Sequence, residues 1–134
     1  MSENSFIVVD DPNPTPTERM QEWFNIIWEH AKKGQKSMAH ARCAYRGDGG
    51  AKCFVGAVIP DDEYFPIMED VGAAMLTVVR ACPPCLRHAS KSERSFLNLC
   101  QRVHDRDRVE EWGKLLVQVA HKFGLSVPKE GGVK

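Results

Sequence analysis

The chain has 134 residues, 43% of them hydrophobic, and its eighteen basic side chains are balanced by eighteen acidic ones. That length suits one domain that buries about two thirds of the surface its unfolded chain would expose, with no need of a disulfide framework. Zero net charge supplies no global field to draw the protein onto a phosphate backbone, which disfavours general nucleic-acid binding, and no apolar run reaches the roughly eighteen residues of a membrane span.

In chain order, Phe6 to Val9 read as a short edge strand or an arm lying on the body. The alternating prolines Pro12, Pro14 and Pro16 forbid helix and mark a linker. Thr15 as N-cap, Pro16 at the first helical position and Glu18 form a capping box that opens the first helix. Met20, Trp23, Phe24, Ile27, Trp28 and Ala31 give that helix one broad apolar face, and Gly34 stops it. Residues 35–42 are basic and mixed, hence loop. Residues 43–46 and 52–55 favour extended structure and flank Gly47-Asp48-Gly49-Gly50, where positive φ costs little, so a β-hairpin is expected there.

Ile59-Pro60-Asp61 ends the hairpin and starts a helical turn over residues 60–64, followed by a kinked connection through Pro66. Residues 71–81 are apolar nearly all round and read as a helix that is either deeply buried or paired with a second copy, making a homodimer one arrangement to consider. Cys82-Pro83-Pro84-Cys85 ends it. Ser90 or Ser92 caps the next helix, with Glu93 three beyond Ser90 and Phe96, Leu97, Cys100 and Val103 inward. Asp107 with Glu110 makes a second box for the last helix, whose core face runs from Val109 through Trp112 and Leu116 to Phe123, with Gly124 at C′. Residues 1–16 are thus arm and linker, 17–127 one globular domain and 128–134 a disordered tail. The fold class expected is α+β, mainly helical, with four or five helices and one small β-hairpin.

The set Tyr45-Arg46-Gly47, Gly50, Lys52-Cys53, Gly56, Ile59-Pro60-Asp61, Tyr64 and Met68-Glu69, followed by Phe96-Leu97, Gln101 and His104-Asp105, resembles a family of small proteins encoded by bacteriophages and prophages. The resemblance covers about residues 35–124. It implies a viral or mobile-element origin, and brings with it no established activity or catalytic residues. The Pro83-Pro84 insertion and the proline-rich arm depart from the pattern.

Four chemistries compete for these residues. Cys53, opening a helical turn, is a candidate thiol nucleophile, with His104 as base and Asp105 as its orienter, the logic of a cysteine-dependent hydrolase or transferase; the plainer reading is a buried thiol beside Phe54. Cys82, Cys85 and His88 have spacing suited to zinc, with a fourth ligand from His40, Cys43, Cys53 or Cys100; otherwise they are reduced thiols in a stiffened loop. Arg42, Arg46 and Lys52 beside the glycine turn could hold a small anionic nucleotide, although the turn lacks the ending of a nucleotide loop. Finally, Asp61, Asp62, Glu63, Glu69 and Asp70 after the turn, set against Lys32, Lys33, Lys36, Arg42, Arg46 and Lys52 before and within it, give the local charge separation of a specific protein-binding face, with Tyr45 and Asp48 as further binding candidates.

The last of these, joined to the resemblance, makes a non-enzymatic accessory protein the expected function. It would bind a host protein or complex stoichiometrically, such as a CRISPR effector of host defence, without a cofactor. Five cysteines without a secretion signal point to free thiols in a reducing compartment, so a cytoplasmic location is expected, the host's if the protein is viral.

Overall fold

The computed structural model describes residues 11–34, 36, 38–39, 42–80 and 82–128. The expected edge strand at residues 6–9 and all but the first residue of the expected tail lie outside them. Along the described residues run α1 (Glu18–Ala31), α2 (Phe54–Val58), α3 (Ala73–Leu76), α4 (Lys91–Arg106) and α5 (Trp112–Phe123), linked by short 3-10 turns. The helix α1 packs on α2 and α5, and α4 packs on α5, α3 and α2, so one core lies between the three long helices with α2 inserted among them.

The mainly helical reading holds, but the α+β class does not, because no β-hairpin forms across the glycine tetrad. Arg46 and Lys52 share a single bridge, and the expected second arm turns into α2. Elsewhere among the described residues, extended pairing is limited to two residues against two, Met38–Ala39 with Arg42–Cys43, too short to make a layer. The reason is burial. Phe54, Val55 and Val58 are all enclosed, whereas a strand would send Phe54 and Val55 to opposite faces and leave one in water. Phe54 instead meets the Trp112 ring edge-on at 4.8 Å.

In α1, Met20, Trp23, Phe24 and Ile27 are buried at helical spacing, and each large side chain enclosed in this way contributes roughly 1.5–3 kcal/mol. The cap is Thr17, whose Oγ1 accepts from the Met20 amide at 3.0 Å, and not Thr15. Thr15 is occupied elsewhere, its amide donating to Ser92 Oγ at 2.8 Å. Asp11 accepts from the Ser92 hydroxyl at 2.8 Å, so the proline-rich segment is fastened to the start of α4 and is not a free linker.

Ser90 and Glu93 form the expected capping box on α4. The box expected at Asp107 and Glu110 is absent: Asp107 closes α4, a 3-10 turn over Val109–Glu111 follows, and α5 starts without a side-chain cap. At the far end Gly124 adopts φ 70°, and the Leu125 amide reaches back to the Ala120 carbonyl at 2.8 Å. The long helix expected over residues 71–81 shrinks to α3, since Gly72 offers no capping side chain and an all-round apolar segment cannot bury every face. Met75 and Val78 remain exposed.

Candidate functional site

The central motif folds into a polar clasp whose hub is Glu69. One carboxylate oxygen accepts from the Tyr45 amide at 2.9 Å, and the other accepts from the Arg46 amide at 2.9 Å and the Tyr64 hydroxyl at 2.6 Å. The Arg46 guanidinium donates to Asp61 and to the Ile59 carbonyl at 2.6 Å, and lies 4.9 Å over the Tyr64 ring. Lys52 approaches the same Asp61 oxygen at 3.5 Å. Tyr45, buried, donates its hydroxyl to the Val71 carbonyl at 2.5 Å. Thus Tyr45-Arg46 on one side and residues 59–71 on the other are held as a unit.

The electrostatics match this geometry. The Arg46 hydrogen bond, aided by Lys52, holds the Asp61 carboxyl below its ordinary value. Burial first, then the Glu69 carboxylate, pushes the Tyr64 phenol up to about 12. Burial also drives Tyr45 upward. The clasp therefore joins neutral phenols to paired ions near neutrality, with Arg46 Nε buried and unpartnered, an arrangement for holding shape.

The binding residues expected from charge are largely absorbed by this work. Arg46, Lys52 and Asp61 pair with one another, Tyr45 is enclosed, and Glu63 accepts from the Cys85 amide at 3.0 Å. Asp62 remains exposed. The side chains of Arg42 and Asp48 lie outside the described residues. Within the glycine turn, the Gly47 amide donates to the Ala51 carbonyl at 2.8 Å and is not left for an anion.

The expected nucleophile is sealed. Cys53 caps α2, its sulfur accepting from the Gly56 amide at 3.2 Å, yet it is 0% exposed and burial raises its thiol to about 12. Loss of solvation outweighs the pull of the helix N-terminus, so the thiolate required for attack does not form near pH 7. His104 Nδ1 does face Asp105 at 2.9 Å, as an orienter would require. Its ring, however, stacks on Trp112 at 5.3 Å and meets Phe54 at 5.2 Å, again with 0% exposure. Cys53 and His104 line neither the groove along the Ile26 side of α1 nor the one between Trp28 and Trp112.

Among the described residues no three of His, Cys, Asp and Glu stand close enough to hold a metal ion. The Cys82 thiol donates to the Pro83 carbonyl at 3.3 Å, and burial followed by Glu63 pushes half-buried Cys85 up to about 12. His88 takes φ 59° in an exposed turn. Cys53, Cys82, Cys85 and Cys100 are free thiols.

Sequence reasoning missed the residues that the clasp presents. Phe65 and Ile67, between Tyr64 and Glu69, are 59% and 64% exposed. Pro66, interrupting an apolar run, was the available signal: the turn it starts keeps both neighbours from entering the core. No known family model, curated protein or solved structure matches this chain. No helix of the described residues is long and apolar enough to cross a membrane.

Proposed function

We propose that the protein is a phage or prophage accessory that binds a host protein stoichiometrically in the host cytoplasm, its target belonging to a defence system such as a CRISPR effector. The observation that carries the binding reading is the exposed pair Phe65 and Ile67 on a turn whose two ends, Tyr64 and Glu69, are tied into the clasp. Large apolar side chains held in water by a rigid support are suited to filling pockets on a partner, because little ordering entropy remains to be lost on association. Asp62, exposed near by, fits a partner pocket with a basic rim. The origin and target class rest on the resemblance of the motif. The reading requires no cofactor.

The test is native mass spectrometry of the chain recovered from host lysate, comparing wild type with a Phe65→Asp, Ile67→Asp double variant of unchanged melting temperature. Wild type should retain one host protein in a simple ratio and the variant should lose it. Retention by both overturns the reading. So does a wild-type homodimer that the variant dissociates, since the face would then serve self-association.

A further inference from the structure

A groove runs along the outer side of α1, lined by Asn25, Ile26, Glu29, His30 and Lys33 and bounded opposite by Lys52 and Ala57, with a volume of about 510 Å³. Small-molecule sites span roughly 300–1,000 Å³ and combine apolar wall with a few convergent polar groups. Ile26 supplies the apolar wall, 43% exposed on a helix whose other large apolar residues are buried or half-buried. Its polar groups are set with a definite chemistry. His30 Nε2 lies 2.5 Å from the Lys52 carbonyl, which can only accept, so Nε2 carries the proton and Nδ1 is left as an acceptor. Burial pushes this imidazole down by more than the hydrogen bond to the Lys52 carbonyl raises it, and the Lys33 and Lys52 charges add to the downward push, so the ring favours its neutral form.

The charge balance favours an anion. Glu29 is the carboxylate of the groove, and it pairs with Lys32 at 3.1 Å. Lys52 shares Asp61 at 3.5 Å with Arg46, which is the closer partner. Two ammonium groups as point charges match a dianion better than a single carboxylate. A polyanion is disfavoured, because the chain has zero net charge and only two lysines converge here.

We propose that this groove binds one small organic phosphate of the nucleoside monophosphate class. Lys33 and Lys52 take the phosphate, Ile26 and Ala57 support the planar base, and Asn25 with His30 Nδ1 reads its polar edge. Lys52 belongs to both this site and the clasp, but Lys33 and Ile26 touch neither the clasp nor the Phe65–Ile67 face, so variants there test the groove separately from the binding function.

The experiment is a calorimetric titration of the full chain with adenosine monophosphate, with adenosine and inorganic phosphate as separate arms, and amide chemical shifts followed in parallel. Adenosine monophosphate should saturate at one per chain, at least about tenfold tighter than either half, and Lys33→Gln or Ile26→Glu should each weaken it about tenfold. Shifts should gather on residues 25–33 and at Ala57. The proposal fails if nothing saturates up to about 10 mM, if phosphate alone binds as well as the nucleotide, if either surface variant binds as wild type, or if the shifts gather on the glycine turn.

Discussion

A Cβ placed on Gly56 would lie 2.1 Å from the Tyr45 carbonyl oxygen and 2.9 Å from its carbon, both backbone atoms. That carbonyl also accepts from the Cys53 amide at 3.4 Å, so yielding would disturb the joint between α2 and the clasp. Gly113 in α5 meets nothing within 4 Å. Opposite signs follow for one chemical change: Gly56→Ala should destabilise by about 2–3 kcal/mol through overpacking, and Gly113→Ala should stabilise by up to about 1 kcal/mol through helix propensity. Urea midpoints of the two variants check this, and equal shifts would refute the close approach. Iodoacetamide tests another buried position. At pH 7.5 Cys53 and Cys100, both 0% exposed, should stay unlabelled until denaturant opens the fold. Rapid labelling of native Cys53 at a rate following a histidine titration would restore the nucleophile.

Between elements, Glu93 joins three pieces of chain. It accepts from the Ser90 amide at 2.9 Å, the Thr17 hydroxyl at 2.7 Å and Arg19 at 2.6 Å, so the caps of α1 and α4 close on one carboxylate. Burial alone would raise its pKa, but Arg19, the Ser90 amide and Thr17 outweigh burial and hold it below 4.5. A carboxyl depressed in the fold contributes stability above its unfolded value and loses it as pH falls through the folded value. Glu93→Gln should therefore cost about 1–3 kcal/mol at pH 7, and the gap to wild type should narrow as the pH falls below 4. Thermal melts over that range decide it, a constant gap contradicting a role for the charge. This helix start was legible because Ser90 and Glu93 are three residues apart and settle their geometry locally. The start of α1 was misplaced because Thr15 is claimed by Ser92, seventy-seven positions away. Likewise Phe54 and Val55 suit a strand by composition, and partners distant in sequence, Trp112 and His104 against Phe54 and Gln101 on the Val55 amide, hold them helical. Tyr45, Arg46, Lys52 and Asp61 were singled out by charge and motif, whereas the hub role of Glu69 depends on donors from residues 45, 46 and 64 and has no local signature.

Over the whole molecule, acidic protons are stored inside. Burial lifts Cys53 and Cys85 to about 12 from an ordinary 9.0, and Cys100 and Tyr45 also move upward, so α2, α4 and the loops beside them all depend on thiols and phenols remaining protonated. Below pH 9 folded and unfolded chains hold these protons equally, and stability is indifferent to them. Above pH 9 the unfolded chain releases thiol protons that the fold retains, so each thiol removes about 1.4 kcal/mol of stability per pH unit until its folded value is reached. The two fully enclosed thiols, Cys53 and Cys100, together withdraw roughly 3 kcal/mol per unit, and half-buried Cys85 adds less because solvent screens it, against a total of about 5–15 kcal/mol for a domain of ordinary stability. The chain should therefore unfold cooperatively between about pH 10 and 12, the same range in which lysines lose their charge. Urea midpoints should hold level from pH 7 to 8.5 and then fall steeply, and Cys100→Ala, though less stable at neutrality, should fall less steeply. A wild-type midpoint unchanged up to pH 10.5, or a slope unaltered in the variant, would mean that these thiols ionise within the fold, and the closed core around Cys53 and Cys100 would then have to be reconsidered.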